Sequence, residues 1–157
     1  MSSPNDPPPH VPPFGIDPEA SRNIFFMMLA LIAGAALFYY LLKKPASPPP
    51  PAIVGDPLLV EGHALYQSRC VSCHGTLGKG DGPIAKGLSG PPVGDLSDAA
   101  WKHGDRPDQV LAVVAKGTPG TAMPAWAGTF NARELRAVSA YVFHLAGRTV
   151  PEALRAP

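Results

Sequence analysis

Two thiols and an imidazole lie within five consecutive residues, Cys70-Val71-Ser72-Cys73-His74. On a helical turn, positions i, i+3 and i+4 share one side, so both sulfurs and the ring address the same body. That spacing predicts covalent attachment of one haem c, with Cys70 and Cys73 forming thioethers to the vinyl groups and His74 meeting the iron. The same residue types serve other chemistry. A zinc site needs further ligands, which in a chain with no second cysteine pair would have to come from His63 or His103. A redox-active dithiol calls for a thioredoxin-like βαβ context that the flanking sequence lacks. Both cysteines of the chain are spent in this motif, so a disulfide framework is excluded by counting.

One histidine leaves a sixth iron position, and its occupant separates electron carriage from ligand chemistry. Met1 is the initiator, and Met27 and Met28 lie in a long apolar run, so Met123 stands alone in the rest of the chain. It sits in Gly117-Thr118-Pro119-Gly120-Thr121-Ala122-Met123-Pro124-Ala125-Trp126, a stiff loop that can present a thioether across a haem face; the other use of such a methionine is to fill a gap in a core. His63, His103 and His144 are rival ligands, each on a predicted helix or its end, where packing or solvent exposure is the ordinary role. The expected metal ligands are therefore His74 and Met123.

The elements that must position these groups read as all-α. Between about Asp56 and Gly147, helix signals alternate with glycine-rich loops, and no alternating strand pattern occurs. A first helix opens with Asp56 as N-cap and Pro57 at the first helical position, places Leu58, Gly62, Leu65 and Tyr66 on one face, and runs into Cys70. A last helix opens with the capping box Asn131-Ala132-Arg133-Glu134, carries Leu135, Val138, Tyr141, Val142 and Leu145 on one stripe, and stops at Gly147. Short helices are predicted over Ser97 to His103 and over Pro107 to Lys116, the second ended by Gly117.

From Ile24 to Leu42 the chain has nineteen residues without a charge, about 28 Å as a helix and enough to cross a bilayer. The 23-residue leader with Asp6, Asp17 and Glu19, and the border Tyr39-Tyr40-Leu41-Leu42-Lys43-Lys44, suit an uncleaved anchor rather than a signal peptide. Proline-rich sequence from Lys44 to Ala52 favours polyproline II, a spacer of about 25 Å, or else a tether of no set length. The expected organisation is a disordered Pro-rich tail at 1–22, an anchor at 23–43, a linker at 44–55, the helical domain at 56–147 and a C-terminal tail at 148–157. Lys43 and Lys44 after the span favour a cytoplasmic C-terminal side. Covalent haem attachment takes place outside the bacterial cytoplasmic membrane, and the haem domain is expected on the periplasmic side in spite of them. A formal net charge of +1 without blocks of like charge offers nothing to a nucleic acid.

With these residues in place, 56–147 resembles the class I c-type cytochrome family. Gly62 and Tyr66 ahead of Cys70-Val71-Ser72-Cys73-His74-Gly75 match its first helix, and Leu135 to Leu145 its last; in that family the two cross behind the haem. Asp95-Leu96-Ser97-Asp98 with Trp101, then Gly117 and Met123-Pro124-Ala125-Trp126, is similar to haem domains in subunits of bacterial haem-copper oxidases. Gly80-Asp81-Gly82-Pro83 is similar to monohaem subunits of complexes such as alternative complex III, and Arg22 to Phe26 to the cytochrome subunit of bacterial nitric oxide reductase. The resemblance implies that a proline carbonyl, here of Pro91 or Pro92, accepts the Nδ1 proton of the proximal histidine, and that the Trp101 indole can reach a haem propionate.

These readings converge on an electron-transfer protein rather than an enzyme in its own right, serving as a tethered carrier or as a subunit of a respiratory or photosynthetic complex. Its partners would be the membrane and redox proteins docking at a haem edge near Ile84 and Ala122. A ligand-binding or catalytic haem protein with an open sixth site, and an assembly subunit whose haem is incidental, remain as alternatives.

Overall fold

The structure, a computed structural model, describes residues 17–42, 47–98 and 100–156. Most of the expected N-terminal tail, and Lys43 and Lys44 with the first residues of the linker, lie outside the described residues. The chain divides at Pro45 into two units.

The first unit is one helix, α1, Pro18–Leu42. Proline suits its first position because an N–H there has no intrahelical partner anyway, and the Asp17 carboxylate accepts the Glu19 N–H at 2.9 Å. The helix starts ahead of the boundary at residue 23, runs 25 residues with a mean hydropathy of 2.3 in its most apolar window, and buries none of its side chains. Its length of about 37 Å is sufficient for a membrane span.

The second unit contains α2 (Pro57–Arg69), α3 (Val71–His74), α4 (Pro107–Lys116) and α5 (Ala132–Leu145), with no strand among the described residues. Asp56 caps α2 by accepting from the N–H groups of Leu58 and Leu59. Asn131 and Glu134 close a reciprocal capping box on α5. The two helices form the main crossing of the domain, and α4 packs on α5. The crossing is close because of Gly62: a Cβ there would collide with the Ala137 carbonyl and the Tyr141 Cβ. The face that α2 buries is Leu59, Gly62, His63 and Tyr66, one step round from the Leu58 and Leu65 edge of the expected stripe. Tyr141 packs against the rings of both Tyr66 and His63, with centroids 5.3 Å apart in each case.

None of the described residues in the helix expected over Ser97 to His103, 97–98 and 100–103, is helical. Asp95 accounts for it: its carboxylate accepts from the Ser97 N–H at 2.8 Å and the Ser97 hydroxyl at 2.6 Å, an Asx-type turn that competes with helical bonding. The helix over Pro107 to Lys116 is present, and Gly117 ends it with φ +67°.

The folded unit also extends past both expected boundaries. Ile53, in a 3-10 turn within the linker, is 0% exposed, and Leu154, in the expected tail, is 2% exposed. An Arg155–Asp56 ion pair of 2.7 Å joins the two ends. Both segments are short and rich in proline, so their periodicity carries no signal, and only packing reveals them.

Candidate functional site

The backbone kinks at Cys70, which ends α2 by donating to the Tyr66 carbonyl at 2.8 Å and opens α3. Cys73 and His74 both donate to the Cys70 carbonyl, so the motif forms one tight turn with its three reactive side chains gathered. Three backbone bonds then lace the following loop to this turn: Gly80 N–H to His74, Gly82 N–H to Cys73 and Ile84 N–H to Ser72, at 2.9 to 3.1 Å. They satisfy carbonyls that the end of a helix leaves open. Glycine is required at position 82, where a Cβ would collide with the carbonyls of Ser72 and Cys73. From the other side the buried Tyr66 hydroxyl donates to the Gly75 carbonyl at 2.7 Å.

Opposite stands the loop after α4. The Thr118 N–H donates to the Met123 carbonyl at 3.1 Å, and the Met123 N–H to the Thr121 hydroxyl at 3.1 Å. The Trp126 N–H returns to the Ala115 carbonyl at 3.1 Å, which ties the end of the loop to α4.

Between the two walls lies a cavity of about 350 Å³. Cys70, Cys73, His74, Met123, Pro91, Pro92 and Trp101 all line it, together with apolar residues that include Leu88, Leu96, Val110, Val114 and Val138. A flat apolar group with thioether, imidazole and methionine attachments suits that donor set. His103 also lines the cavity but is exposed. His63 and His144 do not; they border a separate groove with Gln67, Lys79 and Tyr141.

Electrostatics bears on the competing uses of the motif. Burial, with a smaller contribution from Cys73, pushes the Cys70 thiol up to about 12, opposite to the low value that a reactive dithiol or thiolate ligand wants. Burial lowers the His74 imidazole, which keeps it neutral with a lone pair free for a metal. Its Nδ1 is out of water and has no hydrogen-bond partner among the described residues. Neither Pro91 nor Pro92 accepts from it in this structure, and the nearby backbone group that opposes the shift is that of Gly94. The Trp101 indole N–H is also occupied, donating to the Leu96 carbonyl at 3.0 Å. Trp126, which the sequence offers only as part of the Met123 motif and without a role, also lines the cavity, and its Nε1 is buried without a partner among the described residues. Its place three residues after the methionine was the available signal.

Comparison with known proteins extends this geometry. The profile of the family described as cytochrome C oxidase, cbb3-type, subunit III matches residues 57–142. The cbb3-type cytochrome c oxidase subunit FixP of Bradyrhizobium diazoefficiens is 31% identical over 87 residues, 55% of this chain and 27% of its own length. Subunit FixPc of Rhizobium leguminosarum bv. viciae is 35% identical over 95 residues, 60% of this chain and 30% of its own. The chain thus spans less than a third of the length of these relatives. A chain of the Kuenenia stuttgartiensis reducing HAO-like protein complex has a similar structure, with a TM-score of 0.55 and 25% identity over 68% of this chain and 53% of that one. Of the subfamily likenesses in the sequence, the oxidase one is taken up by the family profile.

Proposed function

Because the chain belongs to the family of cytochrome c oxidase, cbb3-type, subunit III, we propose that it carries one covalent haem c and passes single electrons as a membrane-anchored carrier or as a subunit of a respiratory oxidoreductase complex. The observation that carries this reading is the common cavity: Cys70, Cys73 and His74 on one wall and Met123 on the other. When bound, the haem iron supplies one-electron oxidation and reduction. The protein supplies everything that keeps this cheap. Cys70 and Cys73 would hold the group by thioethers, and the neutral His74 imidazole and the Met123 thioether would ligate its iron, a pair that raises the potential. The α2–α5 crossing and the laced loop hold the proximal turn still, so little has to move when charge changes. Apolar residues exclude water and lower the local dielectric.

The domain beyond Ala52 has ten Lys/Arg and nine Asp/Glu, so contact with a partner rests on shape and apolar surface rather than on steering. Ile84, 49% exposed beside the Cys73 turn, and the exposed Ala122 of the methionine loop are where that contact is made. With α1 as anchor in the bacterial cytoplasmic membrane and the domain on the periplasmic side, encounters are confined to the membrane plane.

The test is to produce the full chain in a bacterial host with periplasmic haem maturation. One haem per chain by pyridine haemochrome, a reversible one-electron titration, and no rapid carbon monoxide binding to the reduced protein are expected. Rapid and complete carbon monoxide binding would replace this reading with an open sixth site.

A further inference from the structure

One side chain closes the methionine loop on itself. The chain reverses through Pro119-Gly120, where the Thr121 N–H donates to the Thr118 carbonyl at 3.2 Å and Gly120 has φ +77°. A proline followed by a positive-φ glycine is what a type II turn calls for. The Thr121 hydroxyl then works in both directions: it donates to the same Thr118 carbonyl at 2.8 Å and accepts from the Met123 N–H at 3.1 Å. A return bond from the Thr118 N–H to the Met123 carbonyl, at 3.1 Å, completes the ring.

The two sides of the Met123 backbone are held differently. Its carbonyl side is fixed by backbone and by close packing, since a Cβ on Gly117 would collide with the Met123 carbonyl and with Pro124. Its amide side is open. Ala122 is exposed, and a Cβ on Gly120 would meet nothing within 4 Å. Among the described residues the Met123 N–H has the Thr121 hydroxyl as its partner. A hydroxyl has one proton to give and lone pairs to accept with, and this one uses both. Thr121 and Met123 line the same cavity.

We propose that Thr121 is the positioning residue for the sixth ligand: its hydroxyl fixes the Met123 amide, holds the thioether in place at the iron and keeps the sixth site closed to competing ligands. This rests on the histidine/methionine reading above. Thr121 acts through the Met123 backbone and not on the iron. Without the hydroxyl, the amide side of the loop has more conformations to lose each time the thioether binds, so methionine yields more readily. None of the bonds that lace the proximal wall includes Thr121, so covalent attachment is indifferent to it.

Imidazole titration of the ferric full-length holo-protein, followed at the methionine-to-ferric-iron charge-transfer band, tests this. In the exchange an iron–sulfur bond breaks and an iron–nitrogen bond from the added imidazole forms, with no electron transferred. Thr121→Val keeps the branched shape and removes the hydroxyl. It is expected to bind imidazole roughly tenfold more tightly than the wild type, the size that two lost hydrogen bonds of ordinary net strength would give. Thr121→Ser restores the hydroxyl and is expected to return towards wild-type affinity. Wild-type imidazole affinity in Thr121→Val overturns the proposal, even if that variant unfolds at lower denaturant, because the hydroxyl would then serve general stability alone. So does a Thr121→Ser variant as weakened as Thr121→Val, which would assign the effect to the lost methyl group. Should Thr121→Val give no holo-protein, hydrogen exchange of the wild type decides: a Met123 amide exchanging as fast as an unbonded loop amide overturns it. A wild-type ferric holo-protein without the charge-transfer band defeats the histidine/methionine reading itself, whereas a band present in the wild type and unmoved by Thr121→Val defeats this proposal alone.

Discussion

The two walls of the cavity are built differently. The proximal wall is local: α2, the Cys70 kink, α3 and the loop to Ile84 are contiguous, and backbone bonds, the Tyr66 hydroxyl and the Gly62 crossing all determine the same turn. The distal wall is a loop of a few short bonds hung from the end of α4, and it reaches the cavity only because α4 packs on α5. Under the proposed function, the first wall holds the group and the second selects its chemistry. Such a division leaves room for the potential and the sixth ligand to vary without loss of attachment.

The largest effect should come from the proximal wall. His74→Ala, or Cys70→Ala with Cys73→Ala, is expected to abolish six-coordinate or covalently held haem respectively, as read by haem staining after denaturation and by the absorption spectrum. Retention of covalent haem in the double cysteine variant would contradict the division outright. Next is the support behind that wall. Gly62→Val drives a branched side chain into the Ala137 carbonyl and should cost about 1–3 kcal/mol or more, measured by denaturant unfolding of the holo-protein.

Met123→Ala, on the distal wall, should keep the covalent haem, lose the methionine-to-ferric-iron charge-transfer band and admit carbon monoxide. If this variant instead loses haem, the two walls are not separable. The smallest effects are in acid. Burial lowers the pKa of His63, so the unfolded chain binds its proton more readily than the folded one, and stability falls as pH drops below about 6.5. Asp56 is lowered mainly by its bond from Arg155, so its contribution is present above about pH 3.8 and is lost as pH falls further. Melting curves followed by circular dichroism should therefore show two acid windows, with His63→Gln flattening the upper and Asp56→Asn the lower. Asp56→Ala also loses the α2 cap, about 1 kcal/mol.

The helices of the domain were legible because caps and glycine stops are local signals: Asp56 with Pro57, Asn131 with Glu134, and Gly117 all stand at the element ends they predict. Ser97 to His103 misled for a physical reason. Its composition permits a helix, but the Asp95 carboxylate offers Ser97 a better bond in a turn. Ile53 and Leu154 were invisible because a single apolar residue in a proline-rich run has no period, and their burial comes from 3-10 turns that pack on α2 and α5 respectively.

The motif from Cys70 to His74 predicted by itself a covalently held haem, since the geometry of one helical turn follows from covalent spacing. The run from Ile24 to Leu42 likewise settled that a membrane-length helix exists. Tertiary structure alone decided that Met123 lines the same cavity, that His74 Nδ1 has no partner among the described residues, and that the Trp101 indole N–H is given to the Leu96 carbonyl. Each of these depends on which carbonyl or side chain a fold brings within about 3 Å, and sequence separation does not encode that distance.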